Sequence, residues 1–149
     1  MKRANAGNSE SMRRVGEYYF HGFKGLQQDK AEGLKWYHRA VEAGNGRAAF
    51  YIGNCYLKGD CVDEDIDKEL EYFQKAADFG YIPSFAMIGE LLMEKGEIEE
   101  GVLNLRKAAT CGIMNDFVFG RLRNSFREGF ITKDEYAFTL RENQNACNE

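Results

Sequence analysis

Few side chains in this sequence have the type and spacing to do chemistry. His21 and His38 are the only candidate near-neutral bases. Neither stands in a spacing that assembles a nucleophile, a base and an orienting group. His38 falls at a position occupied by Gln74 and Arg106 in related stretches, which reads as a solvent position, and His21 precedes Gly22 at a helix end. The four cysteines, Cys55, Cys61, Cys111 and Cys147, allow three pairings. There is no Cys-x-x-Cys and no neighbouring histidine to complete a zinc site, so they read as free thiols of a reducing compartment. The acidic run Asp63, Glu64, Asp65, Asp67, Glu69 and Glu71 offers carboxylates to Ca²⁺ or a basic partner. It lacks the loop spacing and glycine of an EF-hand and reads as the solvated start of a helix. Arg13 and Arg14, and again Arg121, Arg123 and Arg127, gather positive charge without the interleaved aromatics of a nucleic-acid groove. The expectation is no catalytic set, cofactor, metal or nucleic acid.

The elements that position these residues follow from length and composition. A chain of 149 residues is one domain's worth of sequence. Lys and Arg number 20 against 24 Asp and Glu, a net charge of −4, which argues against a generally basic surface. Mean hydropathy is −0.55, and no apolar run approaches the ~20 residues of a membrane span. Met1, Lys2 and Arg3 lead into polar and small residues, unlike a signal peptide. The chain is therefore expected in the cytoplasm, without membrane insertion. Glycine is the anomaly: 16 residues, with one proline, in a sequence that otherwise reads helical.

The glycines are periodic. Residues 35–44 read KWYHRAVEAG, 71–80 EYFQKAADFG and 103–112 LNLRKAATCG. Gly7, Gly44, Gly80 and Gly112 are spaced 37, 36 and 32 apart, and Gly16, Gly53 and Gly89 each follow an aliphatic residue nine positions after the first three. Gly22, Gly59 and Gly96 come six or seven residues later. Apolar stripes predict a helix A (Val15, Tyr18, Tyr19; Ala48, Ile52, Cys55; Phe85, Ile88, Leu91) and a helix B over about 29–43, 65–79 and 97–111. Asp29 and Asp65 are expected N-caps, and Gly44, Gly80 and Gly112 the left-handed residues that close helix B. Gly7 is expected to close an equivalent segment before the first unit, with residues 1–8 a truncated or mobile start. A mid-helix glycine costs about 1 kcal/mol against alanine, so Gly16, Gly53 and Gly89 are expected to face helix B at close approach, with Gly120 as their counterpart in the fourth unit. That unit has drifted, but Thr132 to Glu135 forms a capping box, with Ile131 and Tyr136 placed for a staple. The reading is all-α: a solenoid of antiparallel helix pairs, with repeats at about 8–44, 45–80 and 81–112 and a degenerate helix pair at 113–149 that serves as a polar cap.

Ala48, Ile52-Gly53, Tyr56 and Gly59, with Asp29, Lys30-Ala31, Trp36-Tyr37, Ala40 and Gly44, resemble the repeat pattern of the Sel1-like family, cousins of the tetratricopeptide repeat. The resemblance covers about residues 7–130. It implies a right-handed α-solenoid that acts as an adaptor, with partners on a concave face lined by the A helices. Placing the tetratricopeptide groove on this frame selects Arg13, Glu17, Phe20 and His21 from the first unit. The second contributes Arg47, Phe50, Asn54, Leu57 and Lys58, and the third Ala86, Glu90, Met93 and Glu94, of which Glu90 and Met93 are carried as binding residues. Asn54, with Arg47 and Lys58, would clamp a peptide backbone or carboxylate, while Phe20, Phe50, Leu57 and Met93 hold apolar side chains or belong to the core between repeats.

The functional expectation is a non-enzymatic scaffold binding a protein or peptide segment. A different class, a small-ligand-binding or hydrolytic protein of the cysteine-rich secreted branch, calls for a recurring disulfide within each unit, and this sequence lacks that pair. A third class is a structural module that self-associates weakly through its first repeat.

Overall fold

The computed structural model describes residues 2–23 and 25–149, with side chains from residue 7 onward; Met1 and Lys24 lie outside the described residues. Among the described residues eight helices follow one another: α1 (Lys2–His21), α2 (Lys30–Glu42), α3 (Gly46–Lys58), α4 (Ile66–Asp78), α5 (Pro83–Glu94), α6 (Ile98–Thr110), α7 (Asp116–Arg127) and α8 (Lys133–Cys147). No strand occurs among the described residues. The chain divides into two compact units, residues 1–81 and 82–149.

The boundaries follow from local chemistry. Asp29, Asn45, Asp65, Asn115 and Thr132 each stand in extended backbone at an N-cap, where the side chain accepts from the amide three residues on. Thr132 and Glu135 complete the expected capping box. Gly44, Gly80 and Gly112, with φ of 86°, 86° and 93°, close α2, α4 and α6. Gly22, Gly59, Gly96 and Gly129 do the same for the A helices.

In the first unit α1 and α2 form an antiparallel hairpin, as do α3 and α4, and α3 also packs on α2. The crossings depend on missing side chains. A Cβ on Gly16 would lie 2.8 Å from the Tyr37 ring, and one on Gly53 2.7 Å from the Phe73 ring. Gly33 answers from α2: a Cβ there would stand 2.8 Å from both the Gly16 carbonyl oxygen and the Phe20 amide nitrogen. At the corresponding place in α4 the sequence has Glu69, which is buried rather than part of a solvated acidic face. The core joins Phe20, Tyr37, Ala40, Ala48, Ile52 and Cys55. In the second unit a Cβ on Gly89 would lie 2.8 Å from the Gly101 carbonyl oxygen, and the core gathers Val102, Leu105, Ala109, Val118, Leu122 and Ile131.

Two expectations about glycine are corrected. Gly7 closes no helix, because α1 extends back to Lys2 and carries Gly7 within it, so residues 2–8 are helical. Gly120 does not sit where helices meet: a Cβ there would find nothing within 4 Å. Counted from the N-cap, Gly53 is eight residues after Asn45, and the residue eight after Asn115 is Arg123. The fourth unit has an arginine where the other A helices have glycine.

Candidate functional site

The first unit brings His21, Asn54 and Lys58 together around a cleft of about 190 Å³, floored by Phe20, Tyr37 and Tyr51 and closed by Cys55 and Asp60. Helices α1 and α3 supply most of the lining because the bare Gly16 and Gly53 draw their partner helices beneath them. Tyr37 rests against Phe20 at 5.8 Å and Tyr51 at 5.3 Å between ring centroids. At one edge the Lys30 ammonium donates to both Asp60 oxygens, at 2.8 and 3.0 Å, and stands 5.4 Å from the Phe20 ring centre. Asp60 holds the Lys30 ammonium in its charged form. The Asn54 amide and the Lys58 ammonium have no hydrogen-bond or ion-pair partner among the described residues. Both are donors this cleft can offer a ligand. The thiol of Cys55 is pushed up to about 12 by burial, so it enters as an uncharged wall.

The other sequence-selected positions are placed differently. Arg13 is not a groove residue: its side chain is 5% exposed and is spent on Glu10, at 2.8 and 3.0 Å, and on Glu17, at 2.9 Å. Glu17 is thereby committed as well. Phe20 is buried and belongs to the core as much as to the cleft floor. Phe50 is packed against Phe73 at 5.2 Å and Tyr81 at 5.1 Å, sealing the α3/α4 hairpin. Arg47 is exposed but does not stand beside Asn54. It lines a second, wider hollow with Glu10, Asn45, Phe79 and Tyr81, because seven residues on α3 separate the two side chains by about 10 Å along the axis. Leu57 is exposed outside the cleft. In the second unit Met93 packs on the core with Ala86, and Glu90 forms an ion pair with Arg121 of α7. A helix A contacts its own helix B and its neighbours, so its apolar residues go largely to packing.

Sequence reasoning missed Tyr37, Tyr51 and Asp60 as lining residues. The available signal for Tyr37 was Gly16, since a bare backbone on one helix implies a large side chain on the other. His38 is not a solvent position: it is half-buried and edge-on to Tyr72 at 5.8 Å, and burial pulls its imidazole below the ordinary value. All four cysteines are free, with Cys55 buried and Cys61, Cys111 and Cys147 exposed. Among the described residues no group of three or more His, Cys, Asp or Glu side chains is placed to hold a metal, and no helix is long and apolar enough to cross a membrane.

The model of the Sel1 repeat matches residues 9–45 and 46–81, which are the two hairpins of the first unit. The chain carries Sel1 repeats. A Sel1 repeat protein from Oxalobacter formigenes superposes with a TM-score of 0.75 at 21% identity, over 95% of this chain and 60% of that one. The protective antigen c5321 of uropathogenic Escherichia coli, with an SLR fold, gives 0.73 at 24% identity, over 94% of this chain and 31% of the antigen. At those identities the likeness shows the fold, an α-solenoid of paired helices. Among curated relatives, the ERAD-associated E3 ubiquitin-protein ligase component HRD3B of Arabidopsis thaliana is 37% identical over 76 residues, covering 50% of this chain and 11% of that protein. Chitin synthase regulatory factor 1 of Schizosaccharomyces pombe is 26% identical over 118 residues, covering 78% of this chain and 26% of that protein. The Sel1-repeat chain thus corresponds to a minor part of each of these much longer relatives.

Proposed function

We propose that this Sel1-repeat chain is a non-enzymatic interaction scaffold whose first unit holds a segment of a partner polypeptide in the cleft of Phe20, His21, Tyr51, Asn54 and Lys58. The observation that carries the reading is a pair of uncommitted donors, the Asn54 amide and the Lys58 ammonium, above an aromatic floor. At about 190 Å³ the cleft suits one side chain of a bound segment; pockets for drug-sized ligands run to roughly 300–1,000 Å³. At this cleft that favours a peptide side chain over a drug-sized ligand. The floor is built on helices and fixed by core rings, so the entropy cost of binding falls mostly on the ligand. The names of the relatives agree in kind: one is a component of a ligase and another a regulatory factor of a synthase. The proposal extends to a cytoplasmic location, in keeping with four free cysteines.

The test is affinity capture from the source cell with three forms of the full chain: wild type, Asn54→Ala/Lys58→Glu and Arg47→Glu. Partners lost from the double variant but kept by Arg47→Glu support the cleft. Partners retained equally by all three refute it, provided the helical circular dichroism of the variants is unchanged.

A further inference from the structure

Helix α7 shows a side that the other A helices cover. In α1, α3 and α5 an aliphatic residue (Val15, Ile52, Ile88) is followed by glycine, and a side chain of helix B is seated on it: Tyr37 on Gly16, Phe73 on Gly53, Leu105 on Gly89. In α7 the buried aliphatic is Leu122 and the next residue is Arg123, whose guanidinium extends over the Phe119 ring at 5.8 Å. Helix α8 does not take helix B's place there. It runs parallel to α6 and is fastened to it: the Arg106 guanidinium donates to Thr139 at 3.1 Å and to Glu135 at 3.0 Å, and the Asn143 amide donates to the Ala109 carbonyl at 2.8 Å. Leu140, the counterpart of Phe73 eight residues past its N-cap, is only half-buried. Near the turn, Phe126 stacks on Tyr136 at 5.1 Å, and Ile131 and Tyr136 join the core with Leu122.

The result is an exposed stripe at i, i+4, i+7 and i+8: Phe119, Arg123, Phe126 and Arg127. Phe119 and Phe126 are 38% and 36% exposed. Arg123 and Arg127 have no carboxylate partner among the described residues.

We propose that this face of α7 receives an amphipathic helix of a partner protein that carries carboxylates along one edge of its apolar stripe. A helix is the occupant that the same face accepts in the other three pairs. The acidic edge is set by charge complementarity: Arg123 and Arg127 stand side by side on successive turns beside the two rings. An arginine in the glycine slot also widens the crossing, so the incoming helix meets side chains rather than bare backbone, which suits a reversible partner better than a permanent core. This surface belongs to the second unit and is independent of the cleft proposed above.

The test uses two constrained helical peptides of about 18 residues with the same leucine stripe, edged by glutamates in one and by lysines in the other. Each is fluorescently labelled and titrated with the full chain by anisotropy. The glutamate peptide is expected to bind at least about tenfold tighter than the lysine peptide. Arg123→Glu/Arg127→Glu is expected to reverse that order, and Lys35→Glu, on the exposed face of α2, to leave it unchanged. Equal binding of the two peptides, no binding of the glutamate peptide, or a preference that survives the double reversal overturns the proposal. So does concentration-dependent self-association in sedimentation that the double reversal abolishes, since the face would then serve a second copy of the chain. Both arginines are exposed, so unchanged helical circular dichroism is expected of the reversed variant and confirms that a lost preference is a surface effect.

Discussion

The first three helix pairs and the last one are built from the same plan with opposite results at a single slot. In α1/α2 and α5/α6 glycine faces glycine, so backbone touches backbone, and in α3/α4 the Phe73 ring fills the bare site at Gly53. In the last pair Arg123 occupies that slot, α8 transfers most of its packing to α6, and Phe119 is left toward solvent, with Phe126 part-exposed even where it stacks on Tyr136. Removing the side chain from helix A's side of a crossing makes a helix pair a closed unit. Restoring one large polar side chain turns the same helix face into a surface.

The bare crossing of α1 and α2 is most sensitive at Gly33. Gly33→Ala puts a Cβ against two backbone atoms of α1 that cannot move aside, and is expected to cost on the order of 3 kcal/mol. An unchanged denaturation midpoint would show that α1 and α2 do not need a bare crossing. Arg13→Ala comes next: it leaves Glu10 and Glu17 without their shared cation, at about 2 kcal/mol in chemical denaturation, less than for a fully buried pair because both carboxylates are partly solvated. The same cluster sets an acid limit. Hydrogen bonding to Arg13, helped by Asn45 and opposed by burial, holds the Glu10 carboxyl at about 2. Its folded value lies below the ordinary carboxylate value of about 4.3. The stability it contributes is therefore present above about pH 4.3 and is lost as pH falls toward about 2. A stability profile of Arg13→Ala should be flatter across that window than the wild-type profile.

Gly120→Ala tests the other side of the comparison. Its added methyl meets open space within a helix, so a gain of about 0.5–1 kcal/mol is expected in thermal melts. A loss would mean that α7 is in close contact at that point after all. The smallest effect is chemical. In the native protein a thiol reagent should modify Cys111 and Cys147 ahead of Cys61, whose thiol burial and Asp60 push up, and reach Cys55 only on unfolding, a pattern that mass spectrometry reads directly.

Much of the fold was legible because caps and closures are local. Asp29 and Asp65 terminate their helices by hydrogen bonds three residues away, and Gly44, Gly59, Gly80 and Gly96 adopt a backbone conformation that other residues rarely take. The close approach at Gly16, Gly53 and Gly89 was legible for a related reason: a costly residue in phase across repeats implies a contact. The site was less so. Arg13 shares a helix stripe with His21, and Phe50 with Asn54 and Lys58, and a stripe does not say which of its members a neighbouring element covers.

Sequence alone determined the helix pairs, most of their boundaries and the crossings at Gly16, Gly53 and Gly89, because each rests on chemistry within a few residues or on repetition along the chain. Tertiary structure decided the rest. It paired Arg13 with Glu10 and Glu17, set Arg47 and Asn54 over separate hollows, brought Tyr37 and Tyr51 beneath Lys58, and sent α8 to α6. Those outcomes depend on which of several compatible surfaces meet, and the choice is made by packing among residues far apart in the chain.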